Sequence, residues 1–479
     1  MALRRTLLWF LVAATACTQA PQPAQLAREP EILGILEDRI DRYRQSVGIV
    51  VGLIEPQGRR VIAYGKLDQA DSRPLNGDTV FEIASITKLF TALALAEMVQ
   101  RGDVKLTDPV AKYLTGIQVP GRGGHQITLE DLATHTSGLP REPSNLKPRS
   151  VSDPWAGYSF EDLSEFLSSY QLSRDPGGRF EYSNLGAALL GTALARRADV
   201  NYEALIRKLI TGPLGMASTA VTPTQEMASR LSTGHNYLLE PDPGTKSNIF
   251  APAGALRSTV NDLLKLLSAV LGYTQTPLAP AIRATLAVHR PMAPLMARLV
   301  AVVAGGTGGD QIHLGWSSTR EKGVEVVWHN GAVPGFRSFI GFDRGMRRGV
   351  VVLSNAGNSG VDDIGMHLLN PRVPLQGANE LKPPPERREI AIDAKLIDDY
   401  VGRYRFSKDD AVTVTRDGDQ LVMVDDEASR DPYYPERSLT FFSRSADSQV
   451  TFKVDRQGRA FELMFHFGDG RTKLYKRIP

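Results

Sequence analysis

Apolar residues recur at helical spacing at Ile32, Ile35, Leu36 and Ile40, and this spacing predicts a helix over 32–43. Two strand-like runs follow, Gly48-Ile49-Val50-Val51-Gly52-Leu53-Ile54 and Arg60-Val61-Ile62-Ala63-Tyr64. The Pro56-Gln57-Gly58 turn between them makes a hairpin. From about Ser85 to Leu271 the pattern is mainly helical. One segment there, with Leu89, Phe90, Ala92, Leu93, Ala94, Leu95 and Met98, is apolar nearly all round, which predicts a buried helix ending near Gly102. A second apolar helix runs from Leu185 to Leu194. Strands return at 325–328, 338–342 and 349–353, and a last helix over 362–369 precedes Asn370-Pro371. Strands at both ends of a long helical insert predict an α/β domain. Its antiparallel sheet is flanked by helices, closed by both ends of the segment, and accompanied by a helical lobe.

The pattern changes after Leu381-Lys382-Pro383-Pro384-Pro385, a stiff spacer. A short helix around 393–400 precedes alternating segments punctuated by Asp417-Gly418-Asp419, Asp455-Arg456-Gln457-Gly458 and Gly468-Asp469-Gly470. These predict a small antiparallel, barrel-like β domain. The expected organisation is a leader over 1–16, a tether over 17–31 and a first domain over 32–372. A Pro-rich linker over 373–386 and a C-terminal β domain over 387–479 complete it.

A length of 479 residues agrees with two folded units, and 42% hydrophobic with 23% charged residues is ordinary for globular protein. The net charge of +3 is small, and no basic run is interleaved with aromatics, so nothing suggests a nucleic-acid partner. At the N-terminus Arg4 and Arg5 precede a short apolar run, Leu7 to Ala14, and then Ala14-Thr15-Ala16-Cys17. The run is too short to span a bilayer and has the layout of a secretory leader. Cys17 is the only cysteine, which excludes an internal disulfide framework. Its position resembles that of a bacterial lipoprotein signal, which implies acylation of Cys17. The expected location is then the cell envelope, reached by secretion across the inner membrane and held by a lipid anchor. The Gln-, Ala- and Pro-rich stretch from Thr18 to Pro30 suits a tether.

Three short patterns carry possible chemistry. In Ser85-Ile86-Thr87-Lys88, at the start of the buried helix, one helical turn sets the Lys amine over the Ser hydroxyl. A second copy, Ser144-Asn145-Leu146-Lys147, lies between Pro143 and Pro148 and reads as a loop. Gly177-Gly178-Arg179-Phe180-Glu181-Tyr182-Ser183-Asn184 enters the second apolar helix and could turn Tyr182 and Asn184 into a cleft. His329-Asn330-Gly331-Ala332-Val333-Pro334-Gly335 follows the strand ending at Trp328. Unlike His313-Leu314-Gly315 and His466-Phe467-Gly468, it opens a glycine-rich run that backbone or substrate could approach. There is no metal-ligand spacing. The glycines at 305–309 lack the context and the following Lys of a phosphate loop, so no metal or other cofactor is expected.

In that order, Ser-x-x-Lys, Tyr-x-Asn and His-x-Gly resemble the signature of the serine β-lactamase and penicillin-binding protein superfamily. The nearest form is the class C β-lactamase, DD-peptidase and family VIII esterase group. Accessory stretches at His135-Thr136-Ser137-Gly138-Leu139 and Pro252-Ala253-Gly254-Ala255-Leu256-Arg257-Ser258-Thr259 are similar too. The resemblance covers about 35–370, and members with an extra C-terminal β domain exist. It implies a β-lactamase/transpeptidase-like fold and an acyl-enzyme on Ser85. Tyr182 would be the base, held partly as phenolate by Lys88. The backbone N–H groups of Ser85 and Ala332 would form an oxyanion hole worth roughly 3–4 kcal/mol per donor. Asn184 would hold the substrate amide, and His329 with Gly331 would line the substrate site.

His329 stands where class C β-lactamases carry Lys. A Lys there stays cationic and can hold a substrate carboxylate, whereas a His loses its charge above about pH 6.5 unless perturbed. Among members of that group His-x-Gly is commoner in D-specific peptidases and some esterases, so the resemblance implies a peptidase or amidohydrolase on D-amino-acid-containing peptides, with a β-lactamase or a short-chain esterase as alternatives. A further alternative is a penicillin-binding sensor that acylates at Ser85 and stays acylated. The expected partner is a small-molecule or peptide substrate: a cell-wall peptide, a β-lactam or an ester.

Overall fold

A computed structural model describes residues 26–71, 73–146, 153, 155–245, 249–292, 311–358, 360–377, 380–408, 410–425 and 430–479. Cys17 and its leader, Lys147 and the glycines at 305–309 lie outside them.

The first domain is built on one antiparallel sheet of eight strands among the described residues: β1 (Gly48–Glu55), β2 (Gly58–Gly65), β3 (Arg290–Pro291), β4 (Gln311–Ile312), β5 (Ser317–Glu321), β6 (Val324–Val333), β7 (Phe336–Asp343) and β8 (Arg348–Ser354). Their order across the sheet is β2-β1-β8-β7-β6-β5-β4-β3. β1 and β8 pair with Ile49 opposite Ser354 and Leu53 opposite Val350, so the two ends of the domain meet in the sheet centre. Every residue of β1 is buried, because both faces are covered. On one face Ile49, Val51, Val352 and Phe339 pack with Ile32 and Leu36 of α1 (Glu29–Glu37) and with Ile364 and Leu368 of a C-terminal helix, Asp362–Leu369. On the other face Val50, Ile54, Val351 and Leu353 join the core of the helical lobe.

That lobe holds α2 (Thr87–Gln100) and α3 (Asn184–Arg197). Along α2 the residues from Thr87 to Met98 are all buried, as its continuous apolarity requires. The helix ends where Gly102 takes φ +76° and its N–H reaches Val99 O (3.0 Å), a turn that favours glycine. α3 begins at Ser183, whose Oγ caps the N–H of Gly186 at 2.8 Å.

The His-x-Gly stretch departs from the sequence reading, which ended the strand at Trp328. β6 runs on to Val333 in register with β7, His329 opposite Ile340 and Gly331 opposite Ser338. Pairing with β7 extends the strand through residues of weak strand preference. The turn is made by Pro334 and by Gly335 at φ +80°.

The C-terminal strands, from Gly402–Ser407 to Thr472–Ile478, form a closed antiparallel barrel of eight strands among the described residues. Tyr400, Tyr404, Tyr433, Phe441, Phe452 and Leu463 fill its interior, so this barrel has a packed core of its own. Its loop at Arg444 meets the first domain: Arg444 O accepts from Tyr237 N at 2.8 Å, and its guanidinium lies 3.0 Å from Glu240. Among the described residues, no helix is long and apolar enough to cross a membrane.

Candidate active site

Ser85 sits in a single 3-10 turn, Ala84–Ile86, immediately before α2. Ala84 adopts φ +47°, a left-handed conformation costly for a residue with a Cβ, so the turn is held from outside. β6 and β7 hold it. Ser338 Oγ donates to Ile83 O at 2.9 Å, and Gly331 passes so close that a Cβ there would stand 2.4 Å from Ile83 O and 2.3 Å from Ser338 Oγ. Space, not φ, therefore demands glycine at the third position of His-x-Gly.

Lys88 lies one turn beyond Ser85 and is 3% exposed, so its cation has almost no water to lean on. Nζ has three partners: Ser85 Oγ at 3.0 Å, Asn184 Oδ1 at 2.8 Å and Ala253 O at 2.7 Å. Burial pushes the amine below the usual lysine range, against the opposing pull of Tyr182 and Glu142. Tyr182 packs its ring face 4.9 Å from Nζ, and its hydroxyl acts on the Lys88 ionisation. No hydrogen bond joins Tyr182 directly to Ser85 among those described.

Both accessory stretches serve this cluster. Ala253 O belongs to Pro252–Thr259, and Pro252 O holds Thr91 Oγ1 on α2 at 2.8 Å. Gly191 of α3 leaves room for that stretch, since a Cβ there would meet the Pro252 ring at 2.2 Å. His135, at φ +56°, stacks on Tyr182 with ring centres 4.5 Å apart and accepts from Ser183 N through Nδ1 (3.1 Å). Burial, with Lys88, His329 and Arg141 nearby, holds His135 well below the ordinary histidine range, so it is neutral. The stretch from His135 thus clamps the segment that presents Tyr182 and Asn184.

Asn184 is nearly spent within the site, as Nδ2 also donates to Glu142 Oε1 at 2.6 Å. One N–H remains for a substrate carbonyl. Glu142 was not legible in the sequence: it directly follows the His135 stretch and Arg141, and no pattern marks it. Its Oε2 takes the Trp155 indole N–H at 3.2 Å, and burial raises its carboxyl above the usual range.

His329 is 5% exposed, and its Nδ1 donates to Asn330 O at 2.6 Å, leaving Nε2 as an acceptor. Burial, and then the Lys88 charge, push it down to about 3. The value of about 6.5 holds for an unperturbed histidine, and this one is perturbed downward. In a dry site beside a lysine, His329 stays neutral across the physiological range.

The cluster joins all three sequence patterns, and Ser144 is apart from it in a turn. The β-lactamase family profile matches residues 36–370. The chain belongs to the β-lactamase family. It is a serine hydrolase, similar to β-lactamases and D-alanyl-D-alanine carboxypeptidases. The barrel falls within a match over 386–474 to a domain of unknown function, DUF3471. The D-alanyl-D-alanine-carboxypeptidase/endopeptidase AmpH of Escherichia coli K12 is 33% identical over 278 residues, covering 56% of this chain and 70% of that protein. The crystal structure of a β-lactamase/D-alanine carboxypeptidase from Yersinia pestis is 26% identical, with a TM-score of 0.57 over 68% of this chain and 92% of the other. An octameric penicillin-binding protein homologue from Pyrococcus abyssi shares the fold over 93% of this chain and 99% of its own, at 23% identity and a TM-score of 0.60. Among the described residues, no group of three His, Cys, Asp or Glu side chains is placed to hold a metal ion.

Proposed function

We propose that this β-lactamase-family hydrolase works through an acyl-enzyme on Ser85, and that its substrates are peptides containing D-amino acids. The observation that carries the reading is the Lys88 amine, which Asn184 Oδ1 and Ala253 O hold within hydrogen-bond distance of the Ser85 hydroxyl. In its neutral form, Lys88 can donate two N–H bonds to Asn184 Oδ1 and Ala253 O, and its lone pair then faces the Ser85 proton. The sequence reading gave this first step to Tyr182; the hydrogen bond of 3.0 Å between Lys88 Nζ and Ser85 Oγ supports Lys88 for it. Tyr182, packed beside Lys88, would relay the proton to the leaving amine. The Ser85 and Ala332 N–H groups would receive the carbonyl oxygen as it gains charge. Water then releases the acyl group, regenerating Ser85 and a carboxylate product.

Two further observations support a peptide substrate. His329 brings no positive charge to the place where a β-lactamase lysine would act, and AmpH is named a D-alanyl-D-alanine-carboxypeptidase/endopeptidase and the Yersinia pestis protein a β-lactamase/D-alanine carboxypeptidase. The test is mass spectrometry of the protein incubated with an acylated D-alanyl-D-alanine peptide, a penicillin and a nitrophenyl ester, each followed for turnover. Ser85 should carry the adduct, Ser85→Ala should abolish it and Ser144→Ala should keep it. An adduct surviving in Ser85→Ala overturns the nucleophile. Turnover of the ester or the penicillin alone overturns the substrate class.

A further inference from the structure

The Lys88 amine can serve Ser85 only while its two other partners remain acceptors. Ala253 O is a main-chain carbonyl and cannot turn round. Asn184 can, because its planar amide carries an oxygen at one corner and an NH2 group at the other. Rotated by half a turn, that amide would donate to the lone pair of a neutral Lys88 and take it from the Ser85 proton. Which way Asn184 faces therefore decides whether Lys88 can act as a base.

Glu142 sits on the other side of that amide, and the acylation chemistry above makes no use of it. Its Oε1 accepts from Asn184 Nδ2 at 2.6 Å, so a reversed amide would set oxygen against oxygen. The carboxylate is held at its far end too, where Oε2 takes the Trp155 indole N–H at 3.2 Å, and Trp155 is stacked on Phe250 with ring centres 5.1 Å apart. Two facing donors suit an ionised carboxylate, which accepts at both oxygens. The main chain is tied to the same place. The carbonyl of the adjacent Arg141 accepts from the N–H groups of Asn184 (3.0 Å) and Leu185 (3.2 Å) at the head of α3. Burial is the main influence on Lys88; of the charged groups around it, Tyr182 and Glu142 favour the cation and Arg141 disfavours it. His135 and His329 nearby are neutral. Glu142 in turn is faced by Arg141, and Tyr158 lies within reach of its charge.

Resting on the acyl-transfer reading, we propose that Glu142 is a positioning residue for acylation, which orients the Asn184 amide and through it aims the Lys88 lone pair at Ser85. Glu142 touches neither Ser85 nor the reacting carbonyl, and no proton passes through it. Its charge has a second consequence. A carboxylate beyond Asn184 stabilises the Lys88 cation, so Lys88 gives up its proton at a higher pH than burial alone would set. Orientation and charge thus act in opposite directions, and a substitution can separate them.

The test measures the second-order rate of Ser85 labelling by a fluorophosphonate probe between about pH 5 and 10, a window spanning the carboxylate and lysine ranges. The full chain is used as wild type, Glu142→Ala and Glu142→Gln. Glu142→Ala frees the Asn184 amide to turn, and its plateau at high pH should fall by about 10- to 100-fold. Glu142→Gln can still accept from Asn184 Nδ2, so it should keep more of the plateau than Glu142→Ala does. It carries no charge, however, and the rise of its rate should move down by about one pH unit, the scale for losing a nearby opposite charge. A residue that merely supports the fold would lower the plateau without moving the rise. An unmoved rise in Glu142→Gln therefore overturns the proposal, as does a wild-type plateau in Glu142→Ala. If Glu142→Ala does not fold, the shift in Glu142→Gln decides alone. Labelling that persists in Ser85→Ala would instead sink the acyl-transfer reading on which this rests.

Discussion

Lys88 and Asp362 show how burial sets protonation within this domain. Burial depresses the Lys88 amine, so a neutral, proton-accepting form exists below the ordinary lysine range of about 10.4. The acylation rate of Ser85 should rise with pH and level off before that range. Lys88→Arg keeps a cation that does not deprotonate, and should lower acylation by about 10²- to 10⁴-fold. Stopped-flow acylation across pH checks both; a plateau unchanged in Lys88→Arg would remove Lys88 from proton transfer. Asp362 runs the other way. It is 2% exposed and accepts from Asn330 Nδ2 at 2.7 Å. Burial raises its carboxyl to about 7, with Asp363 adding to the rise and Asn330 and Arg337 opposing it. The folded state therefore binds a proton that the unfolded chain has lost, between about pH 4 and 7. Stability from this group is present below the unfolded value and is lost as pH rises through the folded one. Asp362→Asn removes that loss. Its Tm relative to wild type should climb from pH 5 to pH 8, by the equivalent of a few kcal/mol at most. A constant difference in calorimetry over that window would show that Asp362 stays ionised.

At the scale of elements, the joint between β6 and the Ser85 turn decides the site. A methyl at residue 331 would overlap Ile83 O and Ser338 Oγ, and neither can yield without moving the Ala84–Ser85 backbone. Gly331→Ala should therefore cost about 1–3 kcal/mol of stability by overpacking. Acylation should fall by about 10²-fold or more, because small displacements of a reacting group are expensive. Denaturant melts beside Ser85 labelling rates separate the two effects. A stable Gly331→Ala variant that labels at the wild-type rate would show that the contact has no bearing on Ser85.

At the scale of the whole molecule, the barrel and the hydrolase domain each have a separate core, and Arg444 bridges them through Tyr237 and Glu240. Tyr237 belongs to a loop whose neighbour His235 bonds Gly335 O at the β6–β7 turn. The bridge is thus two steps from β6, and among the described residues no barrel side chain is bonded to Ser85, Lys88, Tyr182 or Asn184. A chain ending at Lys382, which retains the Lys382 O bond to Gln45 Nε2 (2.6 Å), should fold and acylate small substrates within a few-fold of the full protein. Loss of acylation in a folded chain of that length would mean that the barrel orders β6.

Much of this protein was written locally. The period of apolar residues marked α2, β1, β8 and the helix at 362–369, and the Pro-rich spacer announced the barrel, because each depends on neighbours along the chain. Ser85, Lys88, Tyr182, Asn184 and His329 were legible for the same reason, as short patterns at the entries of such elements. What they do to one another was not. That β6 continues past Trp328, that Gly331 is needed for space, and that Ala253 and Glu142 hold Lys88 and Asn184 all arise from segments far apart in the chain. The neutrality of His329 has the same origin. An isolated imidazole titrates near 6.5, and only burial beside a buried lysine takes it to about 3. The sequence by itself named Ser85, Lys88, Tyr182, Asn184 and His329 as candidates; the tertiary structure decided that they meet, added Glu142 and Ala253 beside them, and set their charges, because desolvation and packing depend on what surrounds a residue in space.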